Sequence, residues 1–333
     1  MAGIEIRDLR RVDFALVRKL YAATKNRLRN EDYDRWCFFD TPWGDSIAVI
    51  AVDGDLCAGL FVLRPTMLEL GGKDVLGAQA TDLMTHPDYR RRGLFVAMVE
   101  ESFRIAASRE FEVIYAFPNA QGKSYPGFVH RLNFDHVGDV YSWKYDIRSL
   151  RWPLPAWKSL RRPAIMAGEN DIRPGELEPL IQAAKDGSQV CRIKRDQKWL
   201  AWRYAKASGE IYRWHTGRDS AGKIQAAVLV GERDESWGGL GKGELRIHEA
   251  FAHTEDALVI VLAALTHRAK GESKTIVKML VKDAQIEAAL QKAKFGRAES
   301  LPLAVRKLTA RTLSGNVHHF PVWRIAGGDV DVF

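Results

Sequence analysis

The residues best suited to chemistry lie in one run, Thr85–Phe95, which reads THPDYRRRGLF. Pro87 ends a strand-like pattern, Arg90, Arg91 and Arg92 supply permanent positive charge, and Gly93 opens an apolar run with helical spacing. A strand, a tight glycine loop and a helix start together suit an anion. The first amides of a helix have no intrahelical acceptor, and the helix dipole favours negative charge in front of them. Glycine removes the Cβ where a ligand must approach closely, and arginine adds donors that stay charged. The pattern predicts a phosphate cradle rather than a solvated basic turn. The arginines form one compact cluster without interleaved aromatics, and no helix-turn-helix or zinc-finger spacing is visible, so a nucleic-acid partner is not expected. A G-x-x-x-x-G-K-[ST] loop is also absent.

The chain around this loop has 333 residues, enough for two domains, with 46% hydrophobic and 28% charged residues and a net charge of +8. The surplus of base favours anionic ligands without choosing among them. Cys37, Cys57 and Cys191 are odd in number and far apart, which argues against a disulfide framework or a metal site and for a cytoplasmic location. The first residues, MAGIEIRDLRR, lack the apolar stretch of a leader. The longest apolar run, Ala257–Leu265, is too short for a membrane span.

Periodicity then sets the elements that position the loop. Ile4–Leu9 alternates as a strand; Asp13–Thr24 has a helical apolar face, with Asp13 at the N-cap position. Ile47–Val52 and Leu56–Leu63 flank Asp53-Gly54 as a hairpin. Gly71-Gly72 marks a turn before a third strand, Val75–Thr85. Leu94–Ala107 is a helix, Val113–Phe117 a strand, Phe128–Leu132 a short helix and Val137–Ile147 a strand. The segment RSLRWPLPAWKSLRRPA reads as a connector.

The second half repeats this plan at low fidelity. Gln197–Tyr204 resembles the aromatic helix end Tyr33–Phe39, and the step from Ile276 to Phe295 is 19 residues against 20 from Ile114 to Phe134. The expected fold is α+β, a mixed α/β chain of two tandem units, each a twisted mixed sheet flanked by helices. Its boundaries are 1–148, a linker at 149–172, and 173–333.

With these elements in order, L-M-T-H-P-D-Y-R-R-R-G-L-F resembles the acetyl-CoA motif of the GNAT superfamily of N-acetyltransferases, a strand ending x-P followed by [QR]-x-x-G-x-[GA] at a helix start. Arg90 and Gly93 fit the first and fourth positions; Phe95 departs from the small sixth residue. The resemblance covers about residues 4–147 by element order and the second half by topology. It implies acetyl-CoA (or another acyl-CoA) as co-substrate, with no metal. Pantetheine would lie along Leu83, Met84 and Thr85. The pyrophosphate would sit at Arg90, Arg91, Arg92, Gly93, Leu94 and Phe95, with Asn119 and Ser124 as further cofactor contacts.

The implied reaction is direct transfer to a deprotonated amine. A strand N–H steadies the oxyanion, and an acid protonates the thiolate. The tyrosine expected in a Y-x-K-x-G-F-like helix end is missing: F-V-H-R-L-N-F has Val129 in its place and Asn133 for the glycine. Tyr125, one turn earlier, is the substitute acid; the alternative is that a thiolate leaves without one. Asp82 is the favoured base, with His86 and His130 as other candidates.

The variant T-D-L-M-T-H-P with R-G-L-F, F-P-N and S-Y-P-G-F resembles a tandem-domain subgroup that includes sugar N-acetyltransferases. A small primary amine, such as a nucleotide-linked amino sugar, is the implied acceptor. A peptide or antibiotic amine, or a CoA-binding protein without chemistry, are the competing readings. Acceptor contacts are expected from Asp40-Thr41-Pro42-Trp43 and the face between the units. The second loop, A-H-T-E-D-A-L, has neither arginine nor glycine and carries Glu255 and Asp256, which would repel a pyrophosphate. The second unit is therefore expected not to bind CoA. His248 and Glu249 read as structural residues near the cleft, and the tail with Asp329 and Asp331 as its cap or as plain surface.

Overall fold

The computed structural model describes residues 3–25, 30–122, 124–149, 165–169, 171–173, 175–183, 190–233 and 242–330. Its strands are β1 Glu5–Asp8, β2 Ile47–Asp53, β3 Leu56–Leu70, β4 Lys73–Thr85, β5 Val113–Ala116, β6 Asp135–Asp146, β7 Ile165–Glu169, β8 Cys191–Ile193, β9 Glu210–Asp219, β10 Ile224–Arg233, β11 Glu244–Ala252, β12 Ile276–Lys282, β13 Gly296–Lys307 and β14 Trp323–Ala326. The helices, in chain order, are α1 Phe14–Lys25, α2 Glu31–Phe38, α3 Leu94–Ser108, α4 Ser124–Pro126, α5 Glu178–Ala183, α6 Gln197–Arg203, α7 Glu255–Gly271 and α8 Ala284–Lys292. A π-helical turn, Gly127–Arg131, continues α4.

Local chemistry explains most of these elements. Gly71 and Gly72 both take positive φ (56° and 76°), the geometry a two-residue hairpin between twisted strands needs. The β3–β4 hairpin is consequently longer than the sequence pattern suggested. Asp13 does not cap α1. It ends a 3-10 turn, accepts from the Arg10 amide at 2.8 Å and pairs with Arg7 at 2.7 Å.

In the first half, α3 buries Leu94, Met98, Val99 and Ala106 on one face of the sheet, while Val17, Leu20, Trp36 and Phe38 of α1 and α2 cover the other. Gly59 lets α3 approach closely: a Cβ there would lie 2.7 Å from the Met98 methyl. In the second half, α7 covers one face and α5 lies over the other.

All strands among the described residues belong to one sheet, and its main path runs β1-β2-β3-β4-β5-β13-β6-β12-β11-β10-β9-β7. Each half gives one strand to the other. β13, from the second half, pairs antiparallel with β5, Ala304 opposite Ala116; β6, from the first, pairs antiparallel with β12, Met279 opposite Trp143. β13 and β6 pair with each other at the centre. Of the stretch read as a linker, residues 150–164 lie outside the described residues, and Ile165–Glu169 is an edge strand on β9. Short β8 joins the far end of β3, Leu68 opposite Ile193, to β14. No helix among the described residues is long and apolar enough to cross a membrane.

Candidate active site

The site begins where β4 and β5 part. Their parallel ladder covers only Gly77–Ala80 against Val113–Ala116. β4 continues to Thr85, whereas β5 stops at Ala116 and is followed by Phe117-Pro118. The ladder with β5 thus ends at Ala80, before β4 itself ends at Thr85. On the other edge the β3–β4 register slips between Leu60 and Val62, so β4 bulges over Asp82-Leu83. Asp82 carries the bulge at φ 46°, a conformation that Asp and Asn tolerate better than most residues. Bulges of this kind re-aim side chains beside active sites.

The bulge sends neighbouring side chains to different places. Met84 is buried beneath α1, Leu83 packs toward α3, and Thr85 stands opposite Gly59. Asp82 points to α2, where the Cys37 thiol lies 3.6 Å from its Oδ2. Arg64 reaches the same sulfur at 3.2 Å, while its guanidinium lies 5.3 Å from the Trp36 ring and 5.8 Å from the Trp202 ring. Arg64 was not singled out from the sequence. Its signal was there: one basic residue inside the apolar strand LCAGLFVLRPTMLEL.

Beyond Thr85 the loop makes a 3-10 turn, Pro87–Tyr89, fixed by the Tyr89 hydroxyl on Asp53 at 2.8 Å. Arg92 lies over the Tyr89 ring at 4.7 Å, and Arg90 and Arg91 are exposed. Arg91 and Gly93 take φ of 65° and 77°. Gly93 is the N-cap of α3 and gives it no side-chain cap, and a Cβ placed on it would meet nothing within 4 Å. The start of α3 is thus an open cup of amide donors. Leu94 turns into the core. Phe95 has a packing reason: its ring lies against Gly127, where a Cβ would be 2.7 Å away, and edge-on to Phe128 at 6.1 Å.

After β5, the Ser124 hydroxyl accepts from the Asn119 amide at 3.1 Å, and the Asn119 side chain accepts from Gln121 N at 3.0 Å. Both residues tie their loop together and bring α4 beside the end of β5. Tyr125 follows directly, its hydroxyl 3.1 Å from His136 Nδ1. His130 is exposed, its ring edge-on to Tyr125 at 6.5 Å. His86 accepts from the Asp88 amide at 3.4 Å. Asn133 has φ 52°, the left-handed conformation for which glycine is otherwise chosen.

The matching region of the second half is built differently. Only His253 and Thr254 separate β11 from α7, and the Thr254 hydroxyl caps Ala257 N at 3.2 Å. Glu255 and Asp256 both face Lys292, at 2.7 and 3.4 Å. The gap between β11 and β12 is filled by the chain's own C-terminal segment: β14 pairs with β12, Ala326 opposite Val281, and the buried turn Gly327–Asp329 packs on both strands. Asp331 lies outside the described residues.

Glu249, three residues before the end of β11 as Asp82 is on β4, is buried. It accepts from the Tyr204 hydroxyl at 2.6 Å and pairs with Arg195 at 3.2 Å, which also holds Asp329 at 2.6 Å. Burial, opposed by Arg195, raises the Glu249 carboxyl above its usual range. Next to it, burial pushes the His248 imidazole down although Glu210 lies 2.8 Å from its Nε2.

In the family comparison, residues 5–137 match the Acetyltransferase (GNAT) domain. Residues 5–137 carry a GNAT acetyltransferase domain. Solved structures share the GNAT fold at low identity. A tandem GNAT protein from the clavulanic acid biosynthesis pathway has 14% identity and a TM-score of 0.61, covering 93% of this chain and 100% of that one. A GCN5-related N-acetyltransferase from Anabaena variabilis has 13% identity and a TM-score of 0.64, covering 92% and 73%. One from Sphaerobacter thermophilus has 16% identity and a TM-score of 0.58, covering 95% and 99%. Among curated proteins, no sequence matches this chain. The protein is an acyl-CoA-dependent N-acyltransferase, and acetyl-CoA is the co-substrate of the family that residues 5–137 match.

Proposed function

We propose that the chain transfers an acetyl or other acyl group from one CoA, held by the GNAT domain, to a small primary amine, with a nucleotide-linked amino sugar as the acceptor class. The observation that carries the reading is the open start of α3 at Gly93, which follows the part of β4 that runs past its ladder with β5. Amides of Arg91–Phe95 hold the pyrophosphate, with Arg90, Arg91 and Arg92 as its outer charges. The backbone of Leu83–Thr85 binds pantetheine as an added strand would, and one of its N–H groups steadies the oxyanion. Asp82 takes the proton of the amine, and Tyr125 protonates the leaving thiolate. The net charge of +8 suits two anionic ligands meeting in one cleft.

The second half serves as a scaffold. A capped helix start, two carboxylates and a gap filled by β14 support its lack of CoA. It covers the α2 side of the GNAT domain, where Trp43 packs toward Trp323 and its neighbours.

The test is thiol release from acetyl-CoA against a panel of UDP-linked amino sugars, free amino sugars, a lysine peptide and an aminoglycoside. Turnover with the UDP-linked sugars supports the reading in full. Turnover only with another amine moves the acceptor class, and tight CoA binding with no thiol release from any amine overturns the transferase reading for this site.

A further inference from the structure

Behind Tyr125 stands a pair of side chains that the transfer scheme does not yet use. The Tyr125 hydroxyl lies 3.1 Å from His136 Nδ1, with the two rings perpendicular and 5.6 Å apart. The other ring nitrogen, His136 Nε2, lies 3.4 Å from Asp139 Oδ1. The order carboxylate, imidazole, phenol fixes the imidazole: a carboxylate on Nε2–H leaves Nδ1 facing the phenol.

The strand is shaped for this order. In an unbroken strand, residues three apart point to opposite faces. The β13–β6 register slips at this point, Leu303 opposite Gly138 and Ala304 opposite His136, so Val137 is an extra residue in β6. That bulge brings His136 and Asp139 to one side. Gly138 between them leaves room for the Phe320 ring, which a Cβ would meet at 2.5 Å. Ala304 stands opposite Ala116, the last residue of β5. The exchanged strand therefore sets where His136 lies relative to the end of β5, and Ser124–Asn119 sets where Tyr125 lies relative to the same point.

We infer that His136 and Asp139 form a proton relay to Tyr125, His136 being a positioning residue that supplies the acid. This rests on Tyr125 being the acid. As the C–S bond breaks, its electron pair goes to sulfur and the Tyr125 hydroxyl proton follows. A proton on His136 Nδ1 passes to the phenolate oxygen, while Nε2–H stays on Asp139. Solvent then reprotonates Nδ1. Other ionisable groups nearby include Asp135, held by His318 Nδ1 at 2.8 Å, and exposed His130; β13 places Leu303 and Ala304 opposite Gly138 and His136.

The experiment measures kcat against pH for the wild type, Tyr125→Phe, His136→Asn and the double variant, using acetyl-CoA and the best amine of the panel. Asparagine keeps a hydrogen-bonding group toward Tyr125 but cannot carry the proton. Each single variant is expected to lose kcat by ~100-fold, the scale of acid–base assistance, with KM for acetyl-CoA unchanged. The double variant is expected to be no slower than Tyr125→Phe alone, since residues that act through one another are not additive. His136→Asn is also expected to change the pH profile of kcat. Additive losses, or a wild-type pH profile in His136→Asn, overturn the relay. An unchanged kcat in Tyr125→Phe overturns the acid assignment itself.

Discussion

Trp36 and Trp202 stack across the two halves of the chain, ring centroids 5.1 Å apart and planes within 17°. Each indole N–H donates to the other residue's carbonyl, at 2.7 Å from Trp36 and 3.0 Å from Trp202. Their helices start alike: Asn30 caps Tyr33 N, and Asp196 caps Trp199 N, both at 2.8 Å. The stack is thus a local pseudo-two-fold contact that fixes α2, and with it Cys37 beside Asp82, against the second half.

Truncating either ring removes both stacking area and a paired donor. Trp36→Ala or Trp202→Ala is expected to cost about 3–5 kcal/mol, with a coupling of about 1–3 kcal/mol in the double variant because the two groups touch. Denaturant unfolding measures this, and independent, additive losses would deny the contact its role.

Asp82 is expected to matter to kcat more than to CoA binding. Asparagine accepts the left-handed φ of this position, so Asp82→Asn keeps the bulge while removing the base. Loss of ~10²–10⁴-fold in kcat with the CoA Kd unchanged is the expected result. A variant with full kcat moves the base to His86 or His130.

Acid should weaken the start of the GNAT domain through Asp13. The Arg7 side chain, opposed by burial, holds the Asp13 carboxyl below its usual range. A lowered folded-state value means that its stabilisation is complete above the unfolded value near ~4 and fades as pH falls through the folded value. Asp13→Asn is therefore expected to have a lower Tm than the wild type at pH 7, and the gap should close below pH ~4. A gap independent of pH would show that the pair does not carry this stability.

The loop was readable from sequence because its determinants are local: a proline, a glycine and the start of a helical period within a few residues. The repeat was readable for the same reason, and Trp36 and Trp202 fall within the two segments that resemble each other, Tyr33–Phe39 and Gln197–Tyr204. The strand exchange was not. The residue pattern of β6 is the same whether β5 or β12 lies beside it, so only the tertiary fold decides. β7, β8 and β14 are three to five residues long, too short for alternation to stand out, and their partners are distant in sequence. Arg64, Arg195, Arg203 and Arg246 were not singled out in the sequence, yet Arg64, Arg203 and Arg246 are buried and Arg195 is 8% exposed at its side chain. Their partners come from several elements: Arg203 alone donates to the carbonyls of Gly328 and Val330 at 2.7 and 2.9 Å. Phe95, odd beside the motif it interrupts, made sense only once Gly127 and Phe128 were seen against it.

The asymmetry of the two units is tested most directly by counting CoA molecules by calorimetry. One CoA per chain is expected for the wild type and for Asp256→Lys. Gly93→Glu adds a carboxylate at a left-handed position in front of α3 and is expected to weaken binding by ~100-fold or more, two charge-scale effects acting together. Two CoA molecules per chain, or an unchanged single site in Gly93→Glu, would contradict the account.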